Sequence, residues 1–144
     1  MIPQSNPPYT TSEEWNHAAN IIGGAPILIR GGQVLTDFSL EQTRRSFLYE
    51  AHPRTAVGLL ANGHWVFVVA DGKHFGTGRG LTIPILADFL KQIGCVDALN
   101  LDGGGSSVMV INGDVVSTPA GEESDGKGNQ IRRVSEAILV VPKK

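Results

Sequence analysis

Two aspartates stand where strand-like sequence gives way to glycine: Asp71 in "VVADG" and Asp102 in "NLDGGGSS". A pair of carboxyl groups can break a C–O bond when one is protonated and the other ionised, a split that their surroundings set. Asp102 is the first candidate for this work and Asp71 the second. Arg54, in "HPRT", brings a guanidinium that grips a phosphate through two parallel bonds, which lysine cannot copy. Gly103, Gly104 and Gly105 let a ligand approach the main chain and offer it bare N–H groups. Ser106 and Ser107 follow. No motif ties a histidine to them, so they read as hydrogen-bond donors rather than nucleophiles.

Taken singly, each feature has a plainer explanation. An aspartate before glycine is a common turn former. An arginine beside proline is a common surface charge or structural ion pair. A triple glycine can mark a bulge or a sheet corner. Several glycine-loop chemistries are excluded outright. A phosphate loop needs a Lys-Ser/Thr pair and a following helix, and a dinucleotide fingerprint needs the helix too. Here "SSVMVI" follows, which is strand sequence. A nucleophile elbow needs Gly-x-Ser-x-Gly, and position 108 is Val108. His17, His52, His64 and His74 show no metal-ligand spacing and read as polar surface, His52 and His74 being nearest the motifs. No cofactor is called for. A hard cation such as calcium or magnesium would have only Asp102 or Asp71 to bind.

These residues must be placed by the elements around them. Residues 1 to 20 read as a polar, Pro-rich lead-in, with a short helix in "SEEWNHAAN" capped by Ser12. "GGAPILIRGGQVL" predicts two short strands turning at Gly31-Gly32, and "SLEQTRRSFLYE" a helix capped by Ser39. "RTAVGLLANGHWVFVVADG" predicts a hairpin of 55–61 and 64–70 about Asn62-Gly63. "LTIPILADFLKQIG" predicts the main helix, about 82–93, with Thr82 as cap, Pro84 in the first turn and Gly94 at the end. Ile85, Leu86, Phe89, Leu90 and Ile93 are expected to form its apolar face. "DALNLD" is a strand running into the glycines. A second Asn-Gly hairpin follows, then the polar loop "GEESDGKGNQ" and a closing strand, "VSEAILVV". The fold class is therefore α+β: a curved mixed β-sheet with hairpins, one main helix and a smaller one, in a domain over residues 21–144.

Composition is consistent with one such domain. The chain has 144 residues, 41% of them hydrophobic, and a net charge of −2 without long blocks of one sign. Neither nucleic acid nor an anionic membrane surface is indicated as a partner. No segment is apolar for long enough to insert in a bilayer, and the first residues do not read as a signal peptide. The lone Cys95 reads as a buried structural thiol.

The blocks "GGAPILI", "HPRTAVGLL", "VVADG", "GLTIPILADFLKQIGCVDALNLDGGGSSVMV" and "RRVSEAILVV" occur in this order, and from about Ile22 to Val141 the chain resembles the phosphodiester glycosidase family. The resemblance implies a hydrolase acting on a sugar–phosphate diester or a related glycosidic linkage. It places substrate contacts on Arg54, Thr55, Gly72, Asn100, Gly103, Gly104, Gly105, Ser106, Ser107 and Arg132, beside the candidate acids Asp71 and Asp102. It also favours an extracellular or periplasmic location. The family's "NGGYF"-like stretch is absent, so the chain is expected to match the C-terminal part of that domain. Where the family carries Glu-Arg before its last strand, this chain has Ile131-Arg132. Two other functions stay open: a non-catalytic glycan- or phosphate-binding module, and an assembly domain. A sheet cut from a longer domain leaves an edge and an apolar face, so a homo-oligomer or a second completing chain is expected, with "GGAPILI" and the 55–70 hairpin as the open surfaces.

Overall fold

The computed structural model describes residues 16–74, 78–121, 123–124 and 130–142. Ser12, Glu13 and Glu14 of the expected first helix lie outside the described residues, as do 75–77 and most of the "GEESDGKGNQ" loop. The class is α+β. A five-stranded sheet in the order β2-β1-β7-β3-β4 is built from β1 (Ile27–Arg30), β2 (Gln33–Val34), β3 (Arg54–Leu60), β4 (Trp65–Ala70) and β7 (Cys95–Asn100). All its strand pairs are antiparallel. Three two-stranded pairs accompany it: β5 (Lys73–His74) with β6 (Gly78–Arg79), β8 (Val110–Ile111) with β9 (Asp114–Val115), and β10 (Glu123–Ser124) with β11 (Gln130–Ile131). No helix among the described residues is long and apolar enough to cross a membrane.

Local sequence accounts for the hairpins. The β1–β2 turn falls on Gly31-Gly32 and the β8–β9 turn on Asn112-Gly113, as expected. At the β3–β4 turn, Gly63 N–H and His64 O both bond Leu60, and Asn62 Oδ1 accepts the His64 N–H. This makes a three-residue loop with a bulge rather than the two-residue turn expected from Asn-Gly.

Helix α1 (Arg45–Tyr49) is short, and α2 (Ile83–Gln92) is the main helix. Thr82 caps α2 through Oγ1, which accepts the Ile85 N–H at 3.4 Å. Ile83, Leu86, Ala87 and Leu90 of α2 are fully buried against β1, β7 and α1. Leu28, Ile29, Ala56, Cys95 and Ala98 complete this core, and burial pushes the Cys95 thiol up from its ordinary pKa. The expected apolar face was too wide. Ile85, Phe89 and Ile93 form a second stripe, one that faces solvent.

Two further expectations are corrected. The single helix over 39–50 is broken into a 3₁₀ turn at Ser39–Glu41 and the helix α1, because Gln42 takes a left-handed conformation between them. Tertiary bonding draws the first piece away: both Glu41 carboxylate oxygens accept the Ile27 N–H. Ser39 is not a helix cap; its own N–H donates to Asp37. The closing strand in "VSEAILVV" is not formed. Residues 134–142 carry no regular structure, and Leu139 is 82% exposed.

The sheet has one covered face and one open face. Residues opposite each other in an antiparallel pair share a face. Arg54, Ala56, Gly58, Val68, Ala98 and Asn100 therefore line the helix-covered side. The other side carries Thr55, Val57, Leu59, Trp65, Phe67, Val69, Leu99 and Asp97. Apart from Thr55 and Asp97 it is apolar, yet Trp65 is 64% and Phe67 38% exposed.

Arg54 lies in the core at 1% exposure. Its Nε donates to Leu81 O at 2.9 Å, and Nη2 donates to Phe47 O at 2.6 Å and Glu50 O at 3.0 Å. The guanidinium also stacks 4.6 Å from the Phe47 ring centroid. It thereby fastens α1 and the strand leading to α2 onto the sheet. Burial lowers its pKa from the ordinary value, but arginine starts so high that the group stays charged. Replacing Arg54 with Met should leave three half-buried carbonyl acceptors without their donor, at about 1 kcal/mol each. Thermal melting should therefore fall by roughly 10 °C. An unchanged melting temperature with lost ligand affinity would instead put the guanidinium in a binding cleft.

Candidate active site

Strands β4, β3 and β7 are neighbours, and their ends bring the motifs to one place. Asp71 follows β4, Arg54 begins β3, and Asp102 lies just beyond β7; Arg54 pairs with Ala70, and Ala56 with Asn100. Pro53 is the point on which the loops close. Gly104 N–H donates to Pro53 O at 2.9 Å, and Leu101 N–H to Thr55 O at 2.8 Å. A Cβ on Gly103 would stand 2.8 Å from Pro53 O, and one on Gly72 would overlap the Pro53 ring. These two glycines are required by close approach of backbone to backbone. Gly104 is required differently. It has open space around it but a φ of +61°, which L side chains rarely adopt.

The glycine loop differs from the expected row of bare amides. Residues 104–106 form a 3₁₀ turn that consumes most of them. Gly103 N–H donates to Asp102 Oδ1, Ser106 N–H to Gly103 O and Ser107 N–H to Gly104 O. Within Gly103–Ser107, only the Gly105 N–H is left to a ligand. Thr55 Oγ1 and Ser107 Oγ are 3.0 Å apart, Ser107 being buried and Ser106 half-buried. Arg132 is exposed and runs beside Gly105, whose added Cβ would touch its Cδ at 3.4 Å.

Both aspartates are exposed. Asp102 Oδ1 holds its own loop, and Asp71 Oδ1 accepts the Thr118 N–H at 2.8 Å. Each spends an oxygen on the backbone, which fixes its position and leaves carboxylate surface facing solvent. Asn100 is buried; its Nδ2 donates to Ala25 O and Leu101 O, while Oδ1 has no donor. It ties the segment before β1 to β7 rather than lining open space. Among the described residues, no three His, Cys, Asp or Glu side chains gather as a metal site.

Arg54 stands at the same strand ends, but its side chain turns onto the helix-covered face. Its Nε and Nη2 are committed to carbonyls, so the expected phosphate grip is replaced by a structural role. Arg132 is the cation that the loop itself presents. Sequence reasoning missed Pro53 as the anchor, although it stands inside "HPRT". It missed Thr118 as well, which no local pattern marks because its contact with Asp71 spans 47 positions.

Comparison with known proteins places the whole of this fold in a family. The family model for phosphodiester glycosidase matches residues 4–141. N-acetylglucosamine-1-phosphodiester alpha-N-acetylglucosaminidase of Mus musculus is 33% identical over 134 residues, covering 87% of this chain and 26% of that protein. The chain thus spans about a quarter of the length of the curated relatives it matches. Among solved structures, the zebrafish N-acetylglucosamine-1-phosphodiester alpha-N-acetylglucosaminidase catalytic domain, auto-inhibited by its pro-peptide, superposes with a TM-score of 0.65 at 30% identity, over 78% of this chain and 38% of that one. A hypothetical protein from Synechocystis gives a TM-score of 0.66 at 29% identity, over 76% of this chain and 20% of the other. With the family model spanning residues 4–141 and the same fold in solved relatives, the chain belongs to the phosphodiester glycosidase family.

Proposed function

We propose that these strand ends form part of the active site of a hydrolase that cleaves the glycosidic C–O bond of a sugar phosphodiester. The observation that carries the proposal is the convergence of Asp71, Asp102 and the Gly103–Ser107 turn on Pro53, from three adjacent strands. Water adds its oxygen to the anomeric carbon as the bond to the phosphate oxygen breaks. One carboxylate takes the water proton, and the other carboxyl group gives its proton to the departing oxygen. Asp102 and Asp71 fill these roles. The Gly105 N–H, the Ser106 hydroxyl and the Arg132 guanidinium hold the phosphate, with Thr55, Ser107 and Gly72 at the rim.

The open sheet face bears on how the cleft is completed. Thr55 belongs to that face and also meets Ser107 of the glycine turn. Polypeptide layered over Val57, Phe67, Trp65 and Leu99 would abut the candidate site. We assign this cover to a second copy of the chain or to another chain, which then closes the cleft. One observation favours a second function, a non-catalytic binding module: both aspartates already serve as backbone acceptors.

Three measurements discriminate. Asp102→Asn and Asp71→Asn should each lower turnover of sugar-1-phosphodiesters about 10²–10⁴-fold with melting temperature intact. Binding that survives without any wild-type turnover would favour the module. Gly103→Ala should cost about 1–3 kcal/mol against the Pro53 carbonyl. Gly104→Ala should cost only about 1 kcal/mol and chiefly weaken ligand binding; equal losses of stability would contradict the close approach at Gly103. Light scattering after size exclusion should show an oligomer burying more than about 1,000 Å². A monomer active by itself would overturn the cover.

A further inference from the structure

A recess lies away from the strand ends, between the 36–43 segment and α1. It has a volume of about 270 Å³, near the lower end for small-molecule sites. Phe38 and Leu48, both buried, form its apolar floor. Its polar lining mixes donors and acceptors: Asp37 accepts, Arg45 donates, and the hydroxyls of Thr36 and Thr43 do either, while the Ser39 hydroxyl donates to Asp37. Thr43 Oγ1 is buried and has no hydrogen-bond partner, an arrangement that folded chains rarely leave standing. The Arg45 guanidinium lies 5.6 Å from the centroid of the half-exposed Tyr49 ring, and no carboxylate among the described residues is within ion-pair reach of it.

We propose that this recess is a binding site for one neutral pyranose ring, separate from the strand-end cluster. Mixed donors and acceptors match the vicinal hydroxyls of a sugar, and aromatic surface beside them matches its C–H face. Other ligand classes fit less well. Phosphate would meet the Asp37 carboxylate, which the Ser39 N–H and hydroxyl hold below its ordinary pKa, as well as Arg45, so the recess offers one charge of each sign and suits a neutral ligand better. A single carboxylate is too few for calcium or magnesium. A lipid chain would find a mostly polar wall. The proposal does not depend on catalysis at Asp71 and Asp102, since none of the lining residues belongs to that cluster.

Ligand-observed NMR titration of the full chain tests it, with glucose, mannose, galactose and N-acetylglucosamine as probes and inorganic phosphate as competitor. At least one sugar should bind, and Thr43→Val and Asp37→Asn should each weaken it about tenfold without lowering the melting temperature. Asp102→Asn should leave this binding unchanged, and phosphate should not displace the sugar. No sugar binding at about 50 mM, where even a weak site fills, would overturn the proposal. So would affinity indifferent to both recess variants, displacement by phosphate alone, or loss of the same binding in Asp102→Asn.

Discussion

Pro53 sets where both candidate carboxylates stand: its carbonyl oxygen is bonded by Gly104 N–H at 2.9 Å on the Asp102 side, and its ring packs against Gly72 on the Asp71 side. The glycine turn can reach that oxygen only because Gly103 has no Cβ, and the loop after β4 can lie on the Pro53 ring only because Gly72 has none. Asp102 precedes the first of these glycines and Asp71 the second, so the carboxylates are set by backbone packing. One residue further on, Arg54 turns to the opposite face and ties α1 and Leu81 to the sheet. The start of β3 is thus the joint between the site and the core.

That division explains an unusual use of charge. A buried guanidinium without a carboxylate partner is tolerable when its N–H groups meet carbonyls, because each bond to a charged donor offsets part of the desolvation cost. The carbonyls of Phe47 and Glu50 belong to a helix too short to be stable alone, so the same bonds hold α1 in place. The cost of freeing the guanidinium for a ligand would be the loss of that helix. Arg132, exposed beside Gly105, has no such bond to a carbonyl among the described residues.

Features with a local cause were legible in the sequence. Thr82, Pro84 and Gly94 bracket the main helix, and the Asn-Gly and Gly-Gly pairs place the hairpins. The convergence of "VVADG" and "NLDGGGSS" was legible because both sit at strand ends in one sheet. What failed had tertiary causes. Glu41 leaves its helix to satisfy the Ile27 N–H. Ile85, Phe89 and Ile93 are as apolar as Leu86 and Leu90, and periodicity alone does not say which stripe meets a neighbour. Arg54 looked like an anion receptor because residue type carries no information about which face of a strand is covered. The apolar segment near Leu139 reads as a strand, yet it pairs with no strand among the described residues.

On the proposed function, the Gly103–Ser107 turn and Arg132 receive the phosphate of a sugar phosphodiester while Arg54 stays in the core. Backbone and guanidinium NMR shifts of the labelled chain, followed during titration with a non-hydrolysable sugar-1-phosphodiester analogue, test it most directly. The largest perturbations are expected at Gly103, Gly104, Gly105, Ser106 and the Arg132 side chain, with the Arg54 side chain unmoved. Shifts centred on the Arg54 guanidinium, with the glycine turn silent, would contradict it.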